Sequence, residues 1–530
     1  MGRPMSSHPS IRATLRHRAF RTLLGGGTLY FIASFMQSTA AAWMMVELTG
    51  SSFLAALVQT AVFLPMFLLA LPAGVLSDTT DRRRLMLGAL SAQAVAAALL
   101  TVLGLAGWAG PGSVLFLIFV AGCCTALMSP AWNSTIGDSV TREDLPQAIT
   151  LLGIAYNAAR ALGPAFAGAV FALGGAGPNF AAAFVGVLLM AWAIRRYPPA
   201  PHPPSRLPAE RLWGGINSGL RFAWHSPTVF AQLVRTLAYA GAGSALWALL
   251  PVIAAKQLGM GAAGFGFLMG CMGTGAVGAG FLIGRLRVRY GLERLVAGGC
   301  IGFAIGMLVT ALLTWRWGVY AALLLAGASW MAVMSTFNTA TQTSAPAWVR
   351  SRALAMHTLC ALGAFSIGAA IWGGLSDLIG LRPVLCTAAA LMLAGPLLAR
   401  RYPLRMGEAP DVTQAVPWED LFVAHEPAPE AGPVAVEMCY RIRPEDSQAF
   451  LDTVGELRAP RHRDGATFWR VYRDLSDPTR YVERFIVASW ADYLHQRARA
   501  TVADQAIEAR VRAFVADGEA VTTAHYIAER

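Results

Sequence analysis

Gly74-Val75-Leu76-Ser77-Asp78-Thr79-Thr80-Asp81-Arg82-Arg83-Arg84 joins two long apolar runs. A second copy, from Gly284 through Leu286 and Gly291 to Arg294, lies between two more. A third echo, Gly373-Gly374-Leu375-Ser376-Asp377 followed by Gly380 and Arg382, sits near the end of the apolar region. A charged, glycine-framed turn that recurs between apolar runs implies duplicated halves. Halves that rock against each other are the architecture of secondary transport.

The composition agrees. Of 530 residues 55% are hydrophobic and 14% charged, against about 25% charged in soluble domains. The apolar runs reach the roughly 20 residues that a spanning helix needs. The net charge of +12 comes from arginines flanking these runs, so nucleic acid is not an expected partner; the lipid bilayer is. Cys123, Cys124, Cys271, Cys300, Cys360, Cys386 and Cys439 include no CxxC pair and no Cys/His cluster of metal spacing. Free thiols and no metal are expected. No P-loop, nucleotide fingerprint or nucleophile motif occurs, so neither a cofactor nor an enzymatic role is expected.

The pattern predicts an all-α membrane protein of twelve transmembrane helices in two six-helix halves, with a small α+β domain behind them. Residues 1–21 form a basic tail with no signal-peptide cleavage site. Residues 22–194 are the first half and 227–400 the second. Between them, 195–226 opens proline-rich and continues as a helix with Leu212, Ile216 and Leu220 on one face, expected to lie on the inner leaflet. With both ends inside, the cytoplasmic segments hold 23 Arg and the outer loops only Lys256, Arg316 and Arg382. The positive-inside rule therefore places both termini in the cytoplasm, in a bacterial inner membrane. Residues 401–433 read as a linker. Residues 434–530 read β-α-β-β-α-β, the ferredoxin-like order.

The turn after the second span resembles the signature of the major facilitator superfamily, through Gly74, Leu76, Asp78, Arg82 and Arg83, with Asp81 where that family usually has Gly. Ser129-Pro130-Ala131-Trp132-Asn133, Asn157 to Gly168, and Asn338-Thr339-Ala340-Thr341-Gln342 resemble the branch typified by the bacterial enterobactin exporter. This implies alternating access and export of small hydrophobic, drug-like or siderophore-like molecules, with protons as coupling ion. An importer of the same fold, or a membrane-tethered sensor or enzyme acting through the tail, stays open. The tail resembles the ferredoxin-like domains related to antibiotic-biosynthesis monooxygenases, which implies self-association.

Several residues stand out. Asp78 with Arg82, Arg83 and Arg84 is the candidate gate, and the resemblance implies an arginine partner on the fourth span that this chain lacks. Arg160, mid-way along the fifth span, is costly in a bilayer and must find a partner in a cavity, in a substrate, or in neighbouring carbonyls. Arg235 is a second intramembrane cation. Gln37, Gln59, Asn133, Asn157, Asn338 and Gln342 are candidate cavity amides, each of which could equally bind helix to helix. Gly163, Pro164 and Gly168 predict a kink with close packing, and resemble a shortened antiporter signature. No carboxylate falls at mid-depth in any span; Glu47, near an outer end, and His357 are the proton-coupling candidates. Most aromatic residues are expected to face lipid.

Overall fold

The computed structural model describes residues 14–141, 143–197, 212–346, 348–406, 408, 413, 415, 427–516 and 519–529. Ten helices among these are long and apolar enough to cross a membrane. The helices are α1 (Arg18–Thr49), α2 (Ser52–Thr79), α3 (Arg82–Ala106), α4 (Pro111–Asp138), α5 (Leu145–Gly174), α6 (Ala176–Arg196), α7 (Leu212–His225), α8 (Pro227–Val252), α9 (Ala262–Leu312), α10 (Arg316–Ser344), α11 (Arg350–Ile379) and α12 (Leu381–Ala394). Helix α9 is 51 residues long and reverses at Gly291, whose φ of 76° a side chain rarely tolerates. It therefore supplies two apolar arms. A π-turn, Ile253–Gln257, continues α8. A 3-10 turn, Gly395–Leu397, follows α12.

Helix starts follow local chemistry. Ser51 caps α2, accepting from the Leu54 amide. Asp81 caps α3, accepting from the Arg84 amide at 2.8 Å. The departure from glycine at position 81 is thus a helix cap, worth about 1 kcal/mol.

The chain divides into two compact units. The first comprises residues 1–205, 236–336 and 359–398. Within it α1 to α6 pack closely around two apolar clusters, one containing Met45, Val58, Leu100 and Phe180, the other Phe20, Tyr30, Leu90 and Met190. The second unit comprises residues 206–235, 337–358 and 399–530. Its sheet contains β1 (Val434–Arg441), β2 (Phe468–Arg473), β3 (Arg480–Val487) and β4 (Thr522–Ile527), all neighbours antiparallel, in the order β2-β3-β1-β4. Strand β1 alternates: Val434, Val436, Met438 and Tyr440 are buried, and Ala435, Glu437 and Cys439 are less so. The helices that accompany the sheet are α14 (Ser447–Gly455), α15 (Arg458–Asp464), α16 (Trp490–Arg499) and α17 (Val502–Arg512), numbered after the short α13 (Leu398–Arg401). The second helix of the expected β-α-β-β-α-β order is two here, because Thr501 caps a new one.

The side chains of Leu212, Trp213 and Ile216, and that of Asp78, lie outside the described residues. The rest of α7 does more than the expected surface helix. Phe222 and Ala223 are buried, and α7 packs on α15. The Phe222 ring meets Trp348 edge-on at 5.7 Å, and His225 lies 5.3 Å from the His462 ring.

Candidate functional site: a cavity and a closed end

A cavity of about 610 Å³ lies within the first unit. Helices α1 to α5 supply all its amide, hydroxyl and charged side chains, among them Gln37, Gln59, Gln93, Asn133 and Arg160. Helices α8 to α11 supply Ala240, Trp247, Met269, Trp330, Met334, Ala361, Leu362 and Phe365. Their only side-chain nitrogen or oxygen atoms are those of indole N–H groups. The Tyr30 hydroxyl, 3.1 Å from both Gln93 Oε1 and Thr125 Oγ1, ties α1 to α3 and α4 on the polar wall. On the apolar wall Trp330 stands edge-on to Trp247 at 5.9 Å and to Phe365 at 5.9 Å.

Among the described residues Arg160 is the single charged one in the lining. Among the described residues no carboxylate lies within ion-pair distance of it. Its helical neighbour Tyr156 stands edge-on to Phe31 and Phe35 at 5.2 and 5.6 Å. Gln37 is 4% exposed and its amide nitrogen has no hydrogen-bond partner; the Trp247 indole nitrogen is likewise without one.

The other sequence candidates fall elsewhere. The Asn157 amide donates to Gly153 O of its own helix at 2.8 Å, and Asn157 stands outside the cavity lining. Gln342 Nε2 donates to Asn338 Oδ1 at 2.7 Å, so these two amides satisfy each other one helical turn apart. Arg235 is buried, 5.9 Å over the Phe337 ring, and His357 is buried too; neither lines the cavity. Glu47 is exposed and accepts from Trp43 Nε1 at 2.7 Å. The aromatic residues expected to face lipid include the cavity walls. No local signal marks Trp247, Trp330 and Phe365, since an aromatic facing lipid and one facing a cavity share the same sequence pattern.

The first six helices and the later ones meet at the end that carries the turns at Gly50 and Gly380. A Cβ on Gly168 would sit 2.6 Å from Ala262 O and 2.9 Å from the Gly266 Cα, so α5 and α9 touch backbone to backbone. Gly163 allows the same against Phe35 on α1, and Pro164 lines the cavity between them. Trp43 stacks on Phe265 at 5.8 Å. Asp377, at the end of α11, clasps the start of α2. Its carboxylate accepts from Ser51 Oγ at 2.6 Å, Ser52 N at 2.8 Å and Phe53 N at 3.1 Å. A carboxylate on a helix N-terminus satisfies amides that the helix leaves open and meets the positive end of its dipole. Beside it, Gly373 has no room for a Cβ against Ala56 and the Phe53 backbone. The contact continues inward as Thr60 Oγ1 donates to Ser366 O at 2.9 Å.

The opposite end carries the Gly74–Arg84 motif. Arg82 pairs with Asp138 at 3.1 Å, at the end of α4. Asp138 is the last residue of α4 and pairs with Arg82, whereas the arginine that the resemblance implies would stand early in that span. Arg83 donates to Arg195 O, and His17 pairs with Asp144 at 2.9 Å. All three ties stay within the first half of the membrane part.

In the second unit Glu483 is fully buried and accepts from Arg461 Nε at 3.0 Å, Trp469 Nε1 at 2.9 Å and the Tyr440 hydroxyl at 2.9 Å. Burial alone would pull the Arg461 guanidinium down, but Glu483 and Glu508 outweigh it and raise it above its ordinary range. The sheet domain is fastened to the segment between α10 and α11. The Arg499 guanidinium lies 4.4 Å over the Trp348 ring and donates to Asp464 O at 3.0 Å.

A family model described as transmembrane secretion effector matches residues 9–530. The chain belongs to this major facilitator family. It is a family of transporters, not of enzymes. The chain is 27% identical to the enterobactin exporter EntS of Shigella boydii over 403 residues, 72% of this chain and 91% of that protein. It is 29% identical to the multidrug efflux pump Tap of Mycobacterium tuberculosis strain H37Rv over 388 residues, 68% of this chain and 88% of that one. The nucleoside transporter NupG shares the fold at a TM-score of 0.60 and 11% identity, covering 73% of this chain and 100% of NupG. A D-xylose-proton symporter does so at 0.58 and 14%, covering 74% and 98%.

Proposed function

We propose that the chain is a secondary active exporter of small hydrophobic, drug-like or siderophore-like molecules, working by alternating access between two six-helix halves. Twelve spans result when α5 and the two arms of α9 are each counted. The observation that carries the reading is the cavity of about 610 Å³, beside which the first helices and the later ones meet through glycine contacts, the Trp43–Phe265 stack, the Thr60–Ser366 hydrogen bond and the Asp377 clasp. A contact between intact helices can open without unfolding them. With both termini in the cytoplasm, the closed end faces outward and the state is inward-facing. Relatives named as efflux pumps support export over import.

Coupling to protons is part of the proposal. The cavity lining contains no carboxylate and no histidine among the described residues, so the proton would bind at a gate, at Asp377 or Glu47, or at Asp78. The strand order β2-β3-β1-β4 supports a ferredoxin-like tail, and its ties to Trp348 and α7 support an accessory, regulatory role rather than catalysis.

Cellular accumulation tests the direction. A strain lacking the chain should hold more of an exported dye, and Asp78→Asn should behave like the deletion while inserting normally. Lower dye in the deletion strain would mean import. A deletion phenotype that follows loss of residues 434–530 alone would make the tail the working part.

A further inference from the structure

The cavity's two walls differ in kind, and the difference specifies a cargo. Every ionised or amide group lies on α1 to α5, and the facing wall is carbon and thioether sulfur except for indole N–H. Among the described residues the only full charge in the lining is that of Arg160. Two groups in the lining are buried donors without partners: the Gln37 amide, in a side chain 4% exposed, and the Trp247 indole N–H. A buried donor left open carries a desolvation cost that an acceptor on a ligand would remove. The acceptor that best satisfies a guanidinium is an anionic oxygen pair, as in a carboxylate or sulfonate. The opposite wall, with Trp247, Trp330 and Phe365 steeply inclined to one another, suits a flat ring.

We propose that this cavity selects aromatic organic anions, with the anionic group on Arg160 and the ring system against Trp247, Trp330 and Phe365. The inference rests on the exporter reading and narrows it. Aromatic faces also attract cations, and a lipophilic ammonium is the natural competitor. A guanidinium without a carboxylate partner repels that cation, and among the described residues the lining holds no carboxylate to receive it. Arg160 is here a specificity residue, and the aromatic wall sets affinity with little regard to charge.

The test uses the purified full-length chain without any gradient, so it does not depend on pumping. Three naphthyl probes of similar size are compared by fluorescence titration: 8-anilinonaphthalene-1-sulfonate, uncharged N-phenyl-1-naphthylamine, and a naphthyl trimethylammonium. The sulfonate should bind at least about tenfold more tightly than the neutral probe, and the ammonium more weakly than either. Arg160→Gln should bring the sulfonate to within about twofold of the neutral probe and leave the neutral probe's affinity unchanged. Arg160→Lys should restore part of the preference. Trp247→Leu should weaken sulfonate and neutral probe by the same factor. Equal or tighter binding of the ammonium to the wild type overturns the proposal. So does an Arg160→Gln protein, monodisperse and normally stable, that keeps the sulfonate preference. If Arg160→Gln lowers both probes together, Arg160 is a structural tie and the proposal fails. An ammonium dye pumped at full rate in cells would preserve the exporter reading while removing this one.

Discussion

Replacing Asp377 should open the end of the molecule that is closed here. The carboxylate holds three donors at the start of α2, at 2.6, 2.8 and 3.1 Å. Hydrogen bonds to a charged group are worth about 1.5–3 kcal/mol each when buried, and the helix dipole adds about 0.5 kcal/mol. Asp377 is exposed, so solvent screening reduces the whole clasp to about 2 kcal/mol. Because about 1.4 kcal/mol is a factor of ten, Asp377→Ala should shift the closed-to-open ratio at this end by roughly 30-fold. Asp377→Asn keeps an acceptor but loses the charge; at about 1 kcal/mol it should shift the ratio roughly fivefold. The assay is a spin-label distance between Leu173→Cys and Leu378→Cys, two exposed positions at this end, in a background lacking the seven native cysteines. Wild type should give one short distance, Asp377→Ala a dominant longer one, and Asp377→Asn a mixture. Identical distributions for all three would refute the clasp, leaving the glycine contacts, the Trp43–Phe265 stack and the Thr60–Ser366 hydrogen bond to hold the closure.

Gly168→Leu places atoms where Ala262 O and the Gly266 Cα already sit, so it should cut transport at least about tenfold with normal insertion. Full transport would contradict the view that α5 and α9 must close there. Asp81→Ala should lower stability by about 1 kcal/mol through the lost cap of α3, read as a lower melting temperature, and Asp81→Ser should recover most of it. Trp348→Ala removes the ring under Arg499 and should speed hydrogen exchange in α15 and α16 while the sheet stays protected; unchanged exchange would mean the domain is held by other contacts. Docking of α15 on α7 should also weaken on acidification. Burial, helped by neighbouring His462, Arg221 and Arg458, outweighs the hydrogen bond to Arg221 O and holds His225 below its ordinary range, so the docked state prefers it neutral and that preference is lost as pH falls through its unfolded value towards the folded one. Burial raises Asp464, which favours the packed state on acidification but acts near the carboxylate range. Exchange in α15 should therefore rise from about pH 7.5 to about pH 6, the range around an ordinary histidine, and become pH-independent in His225→Asn; a fall over that window would reverse the assignment.

The membrane part of the fold is legible because its signals are local. Apolar runs, arginine placement and the repeated glycine-framed turn each act within about twenty residues. Gln37, Gln59, Asn133 and Arg160 line the cavity because polar groups in an apolar helix have few other places to go. Asn338 and Gln342 share that signal yet pair with each other, since four residues along a helix is contact distance. Long-range partners leave no such local mark. Asp377 repeats the aspartate of the first turn in the third copy of that turn, and nothing near it says that it meets Ser51, 326 residues away. Asp138 looks like an ordinary helix-end acid until Arg82 is folded beside it. The aromatic wall is invisible for a similar reason, because hydropathy does not distinguish lipid from an apolar cavity.

Export by alternating access is the central claim, and flux in inverted membrane vesicles tests it most directly. Vesicles carrying the chain, acidified inside, should accumulate an aromatic dye, lose it when a protonophore collapses the gradient, and fail to accumulate it with Gly168→Leu. Accumulation that ignores the gradient would remove proton exchange and leave a facilitator. No flux of any dye in either direction, from a correctly inserted chain, would contradict the account.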